Sequence, residues 1–470
     1  MSEILFPGVY LEEVPSGHHA IEGMSTTTTA FLGRSDRGPI GMAAKVTTYL
    51  AYARIFGAPD PRHELGHAVR AFFENGGESA WVVRIAGTDS LADGLTALDL
   101  VKEFGLLCMP GETAVEALRQ ALAYASRRGA FLIVDPPGIE LRSAVGLAQA
   151  LAAAGSADGA IYYPPLYVGR GGESAGVRAP SGSVAGIYAR TDKSRGVWIA
   201  ASGAEAVLLG GYRPAAELDD GQVSELQAAG VNCIRDLPGL GPVLSGARTL
   251  RGADSSSSEW KYVSVRRLST YLEHSIDSGT QWAVFEPNGE PLWARVRVAV
   301  GAFMDALYRA GAFQGRTPSD AYFVRCDRQT MTQDDLDNGR LQMVVGFAPL
   351  KPAEFVILTI GQWTVPVAIE VFREATGESG MRIRLSGRQV CAQGFSLQVE
   401  GSQGWVMWQR VDSFEGSGHE DLHYVLDTEQ NTITFGDGVH GAAPAVGAAI
   451  QATYRYRPGR EGHGPGRSTQ

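Results

Sequence analysis

The segment with the clearest capacity for chemistry is His63–His67, whose sequence HELGH has the HExxH form. On a helix, two histidines four residues apart lie on one face and can bind Zn²⁺, and the glutamate between them can act as a general base. In such a helix Leu65, Val69 and Phe72 form the apolar stripe, so both histidines are expected to face solvent or a neighbouring molecule. We interpret the segment as a solvated helix face. A zinc hydrolase that uses the two histidines and the glutamate is an open alternative.

Two motifs that begin and end with glycine match the sequence patterns of catalytic or cofactor sites, but the neighbouring residues do not predict the helix that such sites need. Residues 172–176, GESAG, match the nucleophile elbow of hydrolases, in which a helix follows the serine and helps to build the oxyanion hole. Residues 177–183 have the composition of a loop, so we expect no helix there. Residues 436–441, GDGVHG, match a dinucleotide fingerprint, but the following AAPA does not start a helix. We predict a tight β-turn at this position and no bound cofactor.

An acidic cluster, Asp334, Asp335 and Asp337, lies just before Gly339. The cluster lacks the spaced ligands of a calcium loop, so no metal is predicted. One interpretation is a short, solvated helix that Gly339 caps at its C-terminal end. The other is an acidic contact face for a partner.

Composition limits the partners and the compartment. The chain has 470 residues, which suggests roughly three domains, and a formal net charge of -10, which disfavours nucleic acid. Four cysteines stand far apart without a CxxC pair, as expected for reduced, mostly buried thiols and not for a disulfide framework. These are Cys108, Cys233, Cys326 and Cys391.

No targeting or membrane segment is expected. Met1–Pro7 lacks the basic and apolar regions of a secretory signal. The most apolar long stretch, Phe355–Phe372, is interrupted by Gln362, Pro366 and Glu370, whereas a membrane span needs about twenty largely apolar residues. We predict two strands there.

The order of apolar and polar residues predicts a multidomain α/β (α+β) chain that ends in an all-β module. Phe6–Val14 alternates like a strand ahead of any domain. Residues 98–168 alternate apolar runs with amphipathic helices, as in βαβ units with a mainly parallel sheet: the runs are 104–109, 130–134 and 161–167, and the helices are 113–127 and 141–154. In residues 255–362 we predict helices around 264–275 and 291–310 and strands around 322–326 and 341–346. After Trp363 only short β-prone runs remain, including 381–385, 395–399, 405–411, 432–435 and 450–456. The predicted divisions are an N-terminal arm (1–25), an N-terminal part (26–97), an α/β domain (98–250), a second α/β region that ends in a strand (251–363), an all-β module (364–457) and a disordered tail (458–470).

Segments spaced along residues 4–362 resemble contractile phage tail sheath proteins. They are PGVYLEE (7–13), TAFLG (29–33), FENGG (73–77), WVVR (81–84), PSGSVAGIYAR (180–190), GARTL (246–250), YVSVRRL (262–268), FEPN (285–288) and FAPLKPAEF (347–355). The module after residue 364 departs from simple sheath proteins. There, ITFGDGVHG (433–441) and residues 447–457 resemble a β segment of putative baseplate assembly proteins.

The resemblance implies a structural sheath subunit and no enzyme. Such subunits form hexameric rings that stack helically around an inner tube, and contraction drives the tube through a target envelope. The implied partners are other sheath subunits, the inner tube and baseplate proteins, without nucleic acid or membrane insertion. The implied site of assembly is the cytoplasm, within a phage-tail-like particle, and a baseplate-proximal structural component is the alternative. By the same analogy, Asp334, Asp335 and Asp337 are candidate tube contacts, and the inter-subunit arms are expected to include Val9, Tyr10, Leu11, Phe355, Val356, Ile357, Leu358 and Ile360.

Overall fold

A computed structural model describes residues 20–87, 90–169, 176–256, 258–350, 356–363, 367–372, 375–386, 390–402 and 404–456. The chain divides into two compact units. The first, here the core unit, comprises Met1–Thr280, Ala294–Arg325 and Met343–Ile360. The second, here the C-terminal unit, comprises Gln281–Trp293, Cys326–Gln342 and Gly361–Gln470.

The first 250 residues alternate strands and helices. The strands are β1 (Thr29–Gly33), β2 (Ala43–Val46), β3 (Ala80–Arg84), β4 (Leu106–Cys108), β5 (Phe131–Val134), β6 (Gly159–Tyr163), β7 (Leu166–Val168), β8 (Gly176–Arg178), β9 (Tyr212–Pro214), β10 (Val231–Leu237) and β11 (Gly241–Ser245). The helices are α1 (Tyr49–Phe56), α2 (Glu64–Glu74), α3 (Leu91–Asp99), α4 (Val115–Arg128), α5 (Leu141–Ala152), α6 (Ser181–Arg195) and α7 (Asp220–Ala228).

Eight of these strands form one sheet in the order β11-β10-β6-β5-β4-β1-β3-β2. The six central strands pair in parallel, and β11 and β2 are antiparallel edge strands. One buried cluster contains side chains of α3, α4, α5 and α7, and another contains side chains of α1, α2 and α6. Helices therefore cover both faces, as all-parallel strands require. The predicted α/β fold is confirmed, and residues 26–97 and 98–250 contribute to the same sheet.

Helix α4 shows why the amphipathic pattern was readable. Leu118, Ala121, Leu122 and Ala125 recur at helical spacing and are all buried. The helix ends at Gly129, whose positive φ of 67° gives the left-handed C-terminal cap that glycine favours.

The predicted single strand Ile161–Tyr167 is wrong. The chain leaves the eight-stranded sheet after Tyr163, where Pro164 has no N–H to donate to a ladder. Strand β7 begins at Leu166 and belongs to a separate three-stranded sheet in the order β8-β7-β9.

Residues 251–363 contain long helices and a small sheet, close to the predicted positions. The elements are α8 (Val263–Gly279), a 3₁₀ helix (Gln281–Phe285), α9 (Glu290–Arg309), α10 (Pro318–Ala321), β12 (Tyr322–Arg325), α11 (Gln333–Asp337), β13 (Arg340–Phe347) and β14 (Val356–Trp363). The last three strands form a sheet in the order β12-β13-β14, in which Tyr322 of β12 pairs with Phe347 of the antiparallel β13.

The end of the chain forms the predicted all-β module. Its strands are β15 (Val367–Phe372), β16 (Arg382–Arg384), β17 (Val390–Gly401), β18 (Gly404–Arg410), β19 (His423–Asp427), β20 (Thr432–Phe435) and β21 (Ile450–Tyr456). They form one sheet in the order β15-β21-β17-β18-β19-β20-β16. Side chains alternate between faces, so Trp408 is buried while its neighbour Met407 is exposed. Strands β14 and β15 confirm the prediction of two strands in Phe355–Phe372, whereas β19 was not predicted.

Candidate assembly site

Strand β14 has the geometry of a strand that can pair with another chain. It lies at one edge of the sheet β12-β13-β14, with β13 as its neighbour among the described strands. An edge strand presents a row of backbone N–H and C=O groups that can accept a further strand. Val356, Ile357, Leu358 and Ile360 belong to this strand, and Phe355 lies outside the described residues. Their pairing between subunits stays a prediction.

The other predicted arm, with Val9, Tyr10 and Leu11, lies outside the described residues, which begin at Ala20. The residues that connect it to β1 are described. They pack against α8, the long helix of the second α/β region.

The HExxH residues have separate partners within the core unit. His63 precedes the first residue of α2, and its Nε2 lies 3.1 Å from Asp36 Oδ1. Glu64 accepts hydrogen bonds from Arg178 Nη1 at 3.1 Å and from the backbone N–H of Ala179 at 3.2 Å. His63 and Glu64 therefore each contact a different neighbour.

The expectation that His67 faces solvent or a neighbouring molecule is wrong. Its side chain is buried, and Nε2 lies 3.2 Å from the backbone oxygen of Asp60. Burial lowers the pKa of His67, and the nearby Arg178 lowers it further. The helical-wheel argument failed because the chain before α2 folds back over the polar face of the helix. Among the described residues, no group of three or more His, Cys, Asp or Glu side chains is arranged to hold a metal ion.

The GESAG motif is followed by a helix, so the expectation of a loop through Ser183 is also wrong. Residues 172–175 lie outside the described part, Gly176 opens β8, and α6 starts at Ser181. Glycine has a packing role in this helix, because a Cβ atom at Gly186 would lie 2.5 Å from the backbone oxygen of Phe72. The small residues of PSGSVAGIYAR thus allow α6 to lie directly against α2.

The side chain of Asp135 contacts Ser181, the first residue of α6, and this residue was not predicted from the sequence. Its Oδ1 accepts a hydrogen bond from the Ser181 N–H at 2.8 Å, and its Oδ2 accepts from the Ser181 hydroxyl at 2.8 Å and from the Gly111 N–H at 3.0 Å. Burial raises the pKa of Asp135 to about 7. The available signal was an acidic residue directly after the apolar strand β5, at the carboxyl edge of the parallel sheet.

The GDGVHG motif is the predicted turn. Asp437 Oδ1 accepts hydrogen bonds from the backbone N–H groups of Val439, at 2.8 Å, and His440, at 2.5 Å. These bonds lower the pKa of Asp437 to about 2. Residues 442–445 are not helical, so no helix N-terminus faces the turn.

The acidic cluster forms the predicted short helix, α11. Thr332 caps its N-terminus through a reciprocal capping box with Asp335, and Gly339 follows the helix with a φ of 63°. Arg340 forms ion pairs with Asp334 and with Asp335, the latter at 2.7 Å. The Thr332 hydroxyl and Arg340 together lower the pKa of Asp335. Two of the three carboxylates therefore already have a cationic partner in the same unit.

Three of the four cysteines lie in buried positions of the described chain. Cys108, Cys233 and Cys326 are buried, as predicted, and burial raises the pKa of the Cys233 thiol to about 12. No helix within the described residues is long and apolar enough to cross a membrane.

The described residues thus combine a core of packed α/β layers with a strand, β14, whose outer edge has no partner among the described strands. The family model for the phage tail sheath C-terminal domain matches residues 255–362, which run from just before α8 to β14. Comparison with curated proteins finds no match.

Solved structures extend the similarity to most of the chain. The sheath complex of the extracellular contractile injection system PVC, in the contracted state, is 31% identical with a TM-score of 0.63, and the alignment covers 76% of this chain and 98% of that one. The contracted helical sheath of the anti-feeding prophage is 33% identical with a TM-score of 0.62, covering 76% and 99%. A chain of the sixfold-symmetrised baseplate of the same prophage is 30% identical with a TM-score of 0.59, covering 76% and 99%. The protein belongs to the sheath family of contractile injection systems.

Proposed function

We propose that this protein is a sheath subunit that polymerises as stacked hexameric rings around an inner tube and contracts to drive the tube through a target envelope. The observation that carries the proposal is the match to two contracted sheath structures along 98 and 99% of their lengths, at 31 and 33% identity. Both of those structures are described as assemblies, so this chain is proposed to act as a repeating unit.

The proposed connections between subunits are exchanged strands. Residues around Val9, Tyr10 and Leu11 of one copy add to a sheet that contains β14, the edge strand, of another copy. Main-chain hydrogen bonds of this kind survive rigid rotation of the domains that they connect. A lattice joined in this way can change its pitch without falling apart.

Contraction needs no chemistry in this chain. The extended sheath is proposed to be a metastable assembly whose subunits bury more surface after contraction, so stored assembly energy supplies the work. The contacts of His63, Glu64 and His67 support a structural role, because each residue is held by a different neighbour. The zinc-hydrolase alternative predicts bound zinc, and metal analysis of the purified chain tests it.

The contact with the inner tube is proposed to include Asp334, Asp335 and Asp337. Exposed charge pairs contribute only about 0–1 kcal/mol each, and Arg340 competes for two of these carboxylates. A sixfold ring repeated along the tube multiplies such weak contacts and still permits release on contraction.

The all-β module distinguishes this chain from the aligned parts of its relatives, which cover 76% of it. We propose that residues 364–457 decorate the sheath or dock a baseplate protein. A baseplate-proximal role is the second candidate, and the similarity to a chain of the anti-feeding prophage baseplate favours it. Assembly in the cytoplasm within a phage-tail-like particle, with later release, is proposed for either role.

Electron microscopy of the chain expressed with its inner tube protein tests the proposal. The full chain is expected to form long sheaths, and a variant lacking residues 1–20 is expected to remain as soluble monomers because it lacks the arm. Long sheaths with normal tubes from the deletion variant would show that the arm does not connect subunits. Particles that carry the chain at one end only would favour the baseplate-proximal role.

A further inference from the structure

The residues that connect the predicted arm to β1 contact one side of α8. Their contacts fall on four positions of the helix, Arg267, Tyr271, Ser275 and Gly279, which are spaced by four residues and so form one stripe. We name residues 20–28 the strap. Its direction is opposite to that of α8, so going back toward the N-terminus the strap approaches the C-terminal end of the helix.

The lengths of the two segments agree. From Arg267 to Gly279 the helix rises about 18 Å, at 1.5 Å per residue. From Thr26 back to Ile21 the strap spans about 17 Å if its five steps are fully extended.

Backbone contacts attach the strap at several points. The Met24 N–H donates to Ser275 Oγ at 3.0 Å, and the Ser25 N–H donates to Glu103 Oε2 at 3.2 Å. Two glycines allow the closest approaches. A Cβ atom at Gly23 would overlap the Tyr271 hydroxyl, and one at Gly279 would lie 2.7 Å from Ile21 Cγ2.

A buried ion pair fastens the strap near β1. Arg267 Nη1 and Nη2 donate to the two carboxylate oxygens of Asp192 at 3.0 and 2.6 Å, and both side chains are almost fully buried. Nη2 also donates to the backbone oxygen of Thr26 at 3.2 Å. The guanidinium lies 4.9 Å from the centroid of the Tyr188 ring, which restricts its orientation.

We propose that Arg267 is a positioning residue that clamps the strap on α8, and that the strap fixes the direction in which the N-terminal arm leaves the subunit toward a second copy. The part about the second copy rests on the proposed function. A planar guanidinium can satisfy the Asp192 carboxylate and the Thr26 carbonyl together, whereas an ammonium group cannot reproduce this fork.

The test variant is Arg267→Lys. It keeps a cation beside Asp192 but loses the hydrogen bond from Nη2 to the backbone oxygen of Thr26. The matched control is Arg266→Lys, at the neighbouring position of α8, where the arginine Nε instead donates to Asp158 Oδ1 at 2.5 Å. In the soluble full-length subunit, hydrogen exchange of residues 20–28 is expected to accelerate about tenfold in Arg267→Lys, because one charge-assisted bond is lost. The control is expected to match the wild type, and equal exchange in both variants would overturn the clamp.

A covalent link supplies a readout that a general loss of stability would not give. Ile21→Cys and Gly279→Cys place two thiols at the closest approach of strap and helix, within reach of a disulfide after a small adjustment. In the Arg267→Lys background, the pelleted sheath fraction is expected to drop by about tenfold under reducing conditions and to return when the disulfide forms. Failure of the oxidised protein to recover would overturn the positioning role.

The deletion of residues 1–20 separates this inference from the proposed function. If the deletion prevents assembly while Arg267→Lys assembles normally, the proposed arm stands and the strap inference is wrong. If the deletion assembles normally, the proposed arm itself is wrong, and the positioning role falls with it.

Discussion

Asp135 is a buried carboxyl group whose titration should be measurable in the stability of the subunit. Its pKa is raised by burial from 3.8 to about 7, although three hydrogen bonds from Gly111 and Ser181 favour the charged form. In the unfolded chain the group titrates near its ordinary value. Between the two values the folded chain binds more protons than the unfolded chain, so this group's contribution makes stability fall as the pH rises through that window.

The size of the effect follows from the shift. At about 1.4 kcal/mol per pKa unit, a shift of about three units corresponds to about 4 kcal/mol between pH values well below 4 and well above 7. For the interval from pH 5 to pH 7.5, the linkage relation gives a loss of about 2–3 kcal/mol. This is a large fraction of the stability of an ordinary domain.

Asp135→Asn removes the titration and keeps one acceptor oxygen. The amide nitrogen cannot accept the hydrogen bond from the Gly111 N–H, so at pH 5 the variant is expected to be about 1–3 kcal/mol less stable than the wild type. Because only the wild type loses stability through this group, the stability of the variant relative to the wild type is expected to rise by about 2–3 kcal/mol between pH 5 and pH 7.5. Urea unfolding of the full chain, followed by circular dichroism at both pH values, measures the difference.

Asp254→Asn is the matched control for this experiment. Hydrogen bonding to Lys261 and the charge of Arg248 lower the pKa of Asp254, so its titration falls below the measured interval. The control should therefore keep the pH dependence of the wild type. If Asp135→Asn keeps it as well, Asp135 is ionised throughout the interval and the argument from burial is refuted.

Three further predictions concern assembly. Proline at Val356 or Leu358 removes one backbone donor from β14 and adds a steric clash, so the pelleted sheath fraction is expected to fall, whereas alanine at either position keeps the donor. Undiminished pelleting of both proline variants would exclude β14 as an exchanged strand. A chain truncated after Trp363 should still form sheaths, because the matched sheath family model ends at residue 362, before the all-β module; micrographs without sheaths would make that module part of the lattice. Replacing Asp334, Asp335 and Asp337 with asparagine should lower the number of extended, tube-filled particles and weaken their response to salt, since each lost charge pair contributes about 0–1 kcal/mol per subunit. Equal particle counts at low and moderate salt, with and without the substitutions, would remove these residues from the tube contact.

The elements that sequence reasoning located correctly are those whose apolar pattern is set within one segment. Helix α4 and strand β5 are examples, because their buried residues follow a helical period and a continuous apolar run, respectively. The all-β module was recognisable for the same reason. Its strands are short and separated by turn residues, and the turn at Asp437 is built from local backbone hydrogen bonds.

The errors arose where distant residues decide the environment. His67 lies on the polar side of α2 by periodicity, yet the backbone of Asp60 and Arg178, at the end of β8, lie close to it. The composition of residues 177–183 indicated a loop, but Asp135 from a distant strand end satisfies the N–H of Ser181 and allows α6 to start there. Neither contact leaves a periodic trace in the sequence.

The candidate assembly site also differs from the HExxH motif in the groups that it offers to a partner. A catalytic motif needs side chains that are held in place and yet open to substrate, whereas His63, Glu64 and His67 are engaged with Asp36, Arg178 and Asp60. The edge of β14, by contrast, offers backbone groups to any strand of suitable register. Backbone pairing does not depend on particular side chains, so its specificity must come from where the partner strand is delivered. We propose that the strap on α8 supplies this control, because an arm that leaves a subunit from a fixed point and in a fixed direction can reach only those neighbours that the lattice places in its path.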